Sequence, residues 1–477
     1  MTFFLKTRSC KKPIASRFFA RVHPKRKSIL LMLASLLPIS AFAQEAPLIA
    51  VDLRSAVDLR TAIVKTISMH VELKSFINQT EVYAGYAQQA GVQSRPIISF
   101  SIEDALGTGE HSGFKSAQST LSISWLLDGE LVKRKMATAK RYGSTVALER
   151  EIKALDLAAQ TARYFIQVLV NKERLKLAKI NLKQANHSLK AVNKRVKAGK
   201  SSLVNKLKSQ AEVAKRALEV EDLTHEVDAS KFQLFAQWTQ KNSGDFDNEQ
   251  HKETKVIGSL LSLPLSDNSD FDSFSNKLFS KLTQTPSVNL FATKQRIAQS
   301  EIELARIETK PLWKFSTGLR RYETTDDFGL IAGISIPFGD SNQNEGKIRA
   351  LRASKNQLET ESLALVHKLN TQLYVLIEQI KHASHVIHAV TYKIIPVLEE
   401  AFIEAEKAYN VGRYSYTEWM NTQQELLNAQ SDLIGAYQNA HLNNIEIERL
   451  TGMSLFTINK ASNAPFNTPF NEKSNEK

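Results

Sequence analysis

The chain is 477 residues long and carries 63 Lys and Arg against 49 Asp and Glu, a formal charge of +14. Nine of those basic residues fall within residues 1–43, where there is no acid. Without them the excess is only +5, so the electrostatic case for a nucleic-acid partner largely disappears. The single Cys10 lies in the same segment, and the remainder has no means of forming a disulfide framework, a thiol nucleophile or a Cys-built metal site.

Residues 1–43 read as an export signal. Lys25-Arg26-Lys27 leads into an apolar run from Ile29 to Ile39, and Ala41-Phe42-Ala43 supplies the small-x-small cleavage pattern before Gln44. The run is too short for a permanent spanning helix, and no later stretch approaches about 18 consecutive apolar residues. No Cys follows it, so no lipid anchor is expected.

From Gln44 onward two halves show the same order of parts, a first repeat over 44–241 and a second over 275–459. In the first, Ala56, Leu59, Ile63, Ile67 and Val71 keep near-helical spacing and predict a helix over 52–92, ended by Arg95-Pro96. Ile98, Phe100 and Ile102 alternate with polar residues, and so do Leu121, Ile123 and Trp125, giving two strands around a Gly-rich turn. Residues 130–198 then contain one Gly and no Pro, enough helix to reach about 100 Å. Gly199 breaks it, Ser201 and Ser202 offer an N-cap, and a return helix is predicted to about Lys241.

Residues 242–274 read as a polar linker with an apolar island from Val256 to Leu265. The second half repeats the order. A helix over 287–310 stops at Pro311, strands run over 313–319 and 328–338, and a long helix over 347–410 closes at Gly412. A return helix then runs from about Ser415 to Thr451, and Pro396 predicts a kink in the helix before it. Gly199 and Gly412 are 213 residues apart, and Pro96 and Pro311 are 215 apart, so the duplication is structural. The tail over 460–477 has a disordered composition.

Leu175, Ala178, Leu182, Ala185, Leu189, Val192 and Val196 alternate at steps of 3 and 4. Leu426, Ala429, Leu433, Ala436 and Ala440 do nearly the same, and both runs are coiled-coil seams. The strands are long enough to cross a bilayer when tilted, yet four cannot close without exposed edges. A trimer would pool twelve, and its helical hairpins would surround a water-filled channel. The competing reading keeps the strands as solvent-exposed hairpins on a helical protein.

The order and spacing of Arg95-Pro96-Ile97-Ile98-Ser99-Phe100, Ser119-Thr120-Leu121-Ser122-Ile123-Ser124, Ala408-Tyr409-Asn410-Val411-Gly412-Arg413 and Glu446-Ile447-Glu448-Arg449-Leu450-Thr451-Gly452 resemble TolC-type outer-membrane efflux proteins from about residue 50 to 453. Lys310-Pro311-Leu312-Trp313 and Ile334-Ser335-Ile336-Pro337 are similar to the branch serving cobalt–zinc–cadmium-type cation efflux pumps. The resemblance implies a mainly α chain with a small membrane β portion. It implies a homotrimer whose twelve-stranded outer-membrane barrel continues into a periplasmic helical tunnel, docked by an adaptor onto an inner-membrane RND pump in a Gram-negative cell.

It further implies a passive conduit with no enzymatic activity, no cofactor and no nucleic acid. Carried over residue by residue, Ala198, Gly199, Lys200, Val411, Gly412 and Arg413 mark adaptor-docking tips. Glu418 matches an acid that narrows the tunnel entrance, and Asn421 replaces a second acid found in some members. A multidrug or protein-secretion channel of the same fold is the alternative within the family. A periplasmic coiled-coil adaptor is the alternative outside it.

His382, His385 and His388 recur every three residues, and only neighbouring pairs of them can share an ion. They read as solvated or channel-lining side chains, with metal ligation the lesser reading, and His111 falls in a loop. Trp125, Trp313 and Phe338 fit an aromatic belt at a membrane surface or plain strand packing.

Overall fold

A computed structural model describes residues 56–239, 254–262, 271–339 and 341–453. The export signal expected over 1–43, the tail expected over 460–477 and much of the linker expected over 242–274 lie outside the described residues. The described residues all belong to one packed unit.

Its elements run in the order α1 (Leu59–Met69), α2 (Val71–Ala90), β1 (Ile97–Glu103), β2 (Gln118–Leu126), α3 (Gly129–Lys197) and α4 (Leu203–Phe235). After the linker come α5 (Phe271–Leu282), α6 (Pro286–Glu308), β3 (Lys314–Tyr322), β4 (Asp327–Ser335), α7 (Glu345–Ala389), α8 (Ile395–Val411) and α9 (Tyr416–Thr451). The long helix α3 has the predicted 69 residues. The helix α5 begins inside the expected linker, where the sequence reading placed none, and three further elements depart from that reading for local reasons.

The helix expected over 52–92 is two helices. His70 takes an extended backbone (ψ 131°), and its Nδ1 accepts the Glu72 N–H at 3.3 Å as the N-cap of α2. The return helix α4 ends at Phe235, short of Lys241, in turns that bury Trp238 against Phe235. At Pro396 the chain widens into a π-helical turn over Val390–Ile394. Proline donates no N–H and its ring crowds the carbonyl four residues back, and a wider turn accommodates both faults without ending the helix.

The four strands form one antiparallel sheet in the order β1-β2-β3-β4, so β2 and β3 join the two halves. The register aligns Phe100, Leu121, Leu319 and Leu330 in one row, and Trp125, Phe315 and Ile334 in another. The alternate residues form the opposite face, with Ser101, Thr120 and Arg320 in one row and Ser99, Ser122 and Gly318 in the next. Arg320 donates to Thr120 Oγ1 (2.9 Å), Gln118 Oε1 (2.8 Å) and Glu103 Oε2 (2.8 Å) on that polar face.

The apolar face is the uncovered one. Phe100, Leu121 and Leu330 are exposed, Leu330 by 86%, whereas Thr120 and Ser124 on the polar face are buried. This inverts the pattern of a sheet packed onto a soluble core and matches a sheet with lipid on one side. Trp125 and Trp313 stand half-exposed at the helical end of the sheet, each stacked at 6.3 Å on Phe315, and Phe338 follows fully exposed.

The main core lies where α3, α4 and α9 cross, around Phe165, Val168, Leu234, Leu433 and Ile445. The described part of the linker closes it. Val57 and Val256 pair as an isolated parallel bridge, Leu260 is buried, and His441 Nε2 lies 2.9 Å from the Leu260 carbonyl. Burial holds His441 below the ordinary histidine pKa, hence neutral. A second core joins Leu278 and Leu282 of α5 to Leu373 and Ile377 of α7 and Ile447 of α9.

The Glu446–Gly452 stretch also has a structural role. Glu446 receives Arg449 and Arg163 (2.6 Å), and Arg449 reaches Asp156 (3.0 Å), tying α9 to α3. Those bonds, Arg449's first, hold the Glu446 carboxyl below its usual range.

Gly318 is where the β2–β3 pairing tolerates no side chain, since a Cβ there would lie 2.7 Å from the Leu121 carbonyl oxygen. Gly318→Ala is expected to weaken the sheet by about 1–3 kcal/mol, read as a lower yield of refolded protein in detergent. A wild-type yield would contradict this register.

Candidate functional site at the helical tips

Opposite the sheet, each long hairpin turns on a glycine. α3 ends at Lys197, Ala198 caps it, and Gly199 adopts φ +69°, a left-handed conformation favouring glycine. Ser202 then caps α4, its hydroxyl accepting the Asn205 N–H at 3.3 Å. In the second hairpin Gly412 adopts φ +90°, its N–H bonded to the Tyr409 carbonyl and the Arg413 N–H to the Ala408 carbonyl. All six predicted tip residues are exposed.

The structure brings the two tips together through a residue that sequence reasoning missed. Arg195, on the last turn of α3, donates from Nη1 to the carbonyls of Tyr409 (2.6 Å) and Asn410 (2.8 Å) at the end of α8. Its Nη2 reaches the Lys200 carbonyl at 3.3 Å, and the guanidinium lies 4.9 Å from the centre of the Tyr409 ring. A cation at a helix C-terminus answers both the unpaired carbonyls and the dipole there. A Cβ at Gly412 would meet Arg195 Nη2 only at ordinary contact distance, 3.4 Å, so the demand for glycine at that turn comes from its φ. Arg in a last helical turn is a legible C-terminal signal, but its targets in the other hairpin are not.

Beneath the clamp sits an aromatic cluster. Tyr409 stacks on Trp419 at 4.9 Å, Phe402 lies 6.4 Å from the same ring, and Val192 and Ala405 pack with them. Trp419 is fully buried, so the tips are anchored as well as adjacent.

Glu418 lies one turn into α9 and closes a capping box. Its Oε2 accepts the Ser415 N–H at 2.7 Å, and Ser415 Oγ accepts the Glu418 N–H at 3.2 Å. The bond from the Ser415 backbone holds the carboxyl below the ordinary glutamate range, so the cap is fully charged at neutral pH and fails only as acid titrates it. Asn421, one turn further along the same face, is exposed as well.

His382, His385 and His388 are all exposed on α7, away from buried Ile380, Ala383 and Ile387, and His388 tilts against Tyr392 at 5.0 Å. Among the described residues no three His, Cys, Asp or Glu side chains gather as a metal site. His111 stands exposed in a short 3-10 turn over Gly109–His111.

Arg195→Ala is expected to free the α8 carbonyls and lower the opening free energy of residues 408–414 by about 1.5–3 kcal/mol. Hydrogen exchange over that segment measures it, and unchanged protection would show that the clamp contributes nothing.

The outer membrane efflux protein family matches residues 71–238. The cobalt-zinc-cadmium resistance protein CzcC of Cupriavidus metallidurans is 22% identical over 394 residues, 83% of this chain and 90% of that protein. A membrane protein from Pseudomonas aeruginosa superposes with a TM-score of 0.64 at 14% identity, covering 84% of this chain and 95% of the other. The outer membrane protein VceC from Vibrio cholerae gives 0.64 at 14% identity, with coverage of 83% and 96%. The likeness to solved structures carries the fold, and over α2, β1, β2 and the first hairpin the chain is similar to the outer membrane efflux protein family.

Proposed function

We propose that the chain is the outer-membrane conduit of a tripartite efflux system in a Gram-negative cell and carries divalent heavy-metal cations outward. The observation that carries the reading is the sheet, apolar on its exposed face, polar on the other, with β1 and β4 left as open edges. Its strands of seven to nine residues extend about 23–30 Å, comparable to the apolar band of about 25 Å on an outer-membrane barrel. Open edges cannot persist in lipid. Pairing β1 of one copy with β4 of the next closes twelve strands from three copies of this four-stranded sheet, with polar residues inward.

The helical hairpins then continue the barrel as a tunnel across the periplasm. The tips at Ala198, Gly199, Lys200, Val411, Gly412 and Arg413 meet an adaptor, which joins the channel to an inner-membrane RND pump. The pump supplies the energy, and the conduit performs no chemistry. Kinship with a cobalt-zinc-cadmium resistance protein supports metal cations as the cargo.

Glu418 and Asn421 stand at the tunnel entrance in this reading, with Glu418 both capping α9 and presenting a carboxylate to passing cations. Glu418→Ala is expected to raise single-channel conductance or relieve cation block in planar bilayers, and no change in either removes it from the entrance. For the cargo, a deletion strain is grown on zinc, cobalt, cadmium, nickel and copper salts and on dyes and detergents. Sensitivity confined to metals and restored by the intact gene is the expected result; sensitivity to dyes and detergents alone would keep the conduit and discard the metal assignment.

A further inference from the structure

The two hairpins have similar architecture but opposite charge. Residues 174–211, around the first tip, hold eleven Lys and Arg and no Asp or Glu. The equivalent stretch of the second hairpin, 387–424, holds five acids (Glu399, Glu400, Glu404, Glu406 and Glu418) against three basic residues. A solvated helix face ordinarily mixes both signs.

The excess on α3 is ordered. Lys176, Lys179, Lys183, Lys190, Lys194 and Lys197 follow at steps of 3, 4, 7, 4 and 3, which places them in one column about 32 Å long. Five of the six buried residues of the same stretch, Ala178, Asn181, Ala185, Ser188 and Val192, lie about half a turn away, and Leu177 lies between the two faces. The column therefore runs along the face of α3 opposite its packed side, and all six lysines are exposed. Lys179, Lys183, Lys190, Lys194 and Lys197 make no ion pair or side-chain hydrogen bond among the described residues. Neighbours of like charge at these spacings oppose helix formation; Lys194 and Lys197 recover part of that at the C-terminal end of α3, and Lys179, Lys183 and Lys190 have no such compensation.

We propose that the lysine column of α3 is a docking face for a helix of a separate protein, one bearing Asp or Glu at heptad spacing, and that the acidic α8–α9 hairpin repels the same helix. A straight row of cations at steps of 3, 4 and 7 matches a row of acids on one side of a second helix, the way flanking charges select partners in coiled coils. Lipid headgroups do not fit. The column begins about 70 Å along α3 from the strands, many Debye lengths from a membrane holding the sheet. The inference rests on the conduit reading for that placement and adds to it the chemistry of the partner and the hairpin it selects.

The test uses the full chain in detergent and a labelled synthetic helical peptide with Glu at heptad spacing, followed by fluorescence anisotropy. A peptide of the same composition in scrambled order is the control. Binding of the patterned peptide is expected at about 50 mM salt and loss at about 300 mM. A triple Lys183→Gln, Lys190→Gln, Lys194→Gln variant is expected to bind at least about tenfold more weakly while melting no lower than wild type. Glu400→Gln with Glu404→Gln is expected to bind as tightly as wild type or tighter.

Equal binding of the scrambled peptide, or undiminished binding by the triple-Gln variant, would overturn the proposal. So would anionic vesicles binding the column while the patterned peptide does not. Bilayer conductance of the same wild-type preparation separates the two ideas. Conductance without peptide binding rejects the docking face alone, and absence of conductance rejects the conduit on which it rests.

Discussion

The constraint on which the structure depends is that its sheet cannot be finished by one chain. Among the described residues, four strands carry an apolar face with no helix over it, a polar face with its own arginine-centred hydrogen bonds, and two edges of unpaired backbone. In water the apolar face would invite aggregation, and in lipid each open edge would forfeit several kcal/mol per unpaired group. Closure with further copies resolves both. The helices obey the same logic, because a wall of hairpins longer than 30 residues per arm is stable only when each buries a stripe against a neighbour.

Rigidity and closeness are distributed unevenly along that wall. Large apolar side chains concentrate where α3, α4 and α9 cross, and there the described linker segment straps the bundle through the Val57–Val256 bridge and neutral His441. Toward the tips the buried positions of α3 shrink to Ala185, Ser188 and Val192, which lets backbones approach. The tips are then fixed by Arg195 and the Tyr409–Trp419 stack, polar and aromatic contacts that hold two hairpins side by side. Glu418 belongs to both functions, as a helix cap by geometry and as an exposed carboxylate beside the turn.

Much of this was legible in the sequence where the signal is local. The absence of Pro from α3, the glycines at 199 and 412, and the alternation through Phe100, Leu121, Leu319 and Leu330 each impose a conformation on a few neighbouring residues. The break at His70 was invisible because the apolar period runs straight through it and neither Gly nor Pro marks it. Pro396 predicts a kink but not the π turn before it, since proline dictates a fault but not its form. Arg195 and the Val256 strap were beyond reach for a different reason, their partners being 214 and about 200 residues away in sequence.

The most direct test of the account is the native mass of the detergent-solubilised full chain, measured with the detergent stripped in the gas phase. The account predicts a complex of three chains, the number that closes twelve strands from this four-stranded sheet. A stable, folded single chain under the same conditions would contradict it, because the sheet would then have to exist with both edges open.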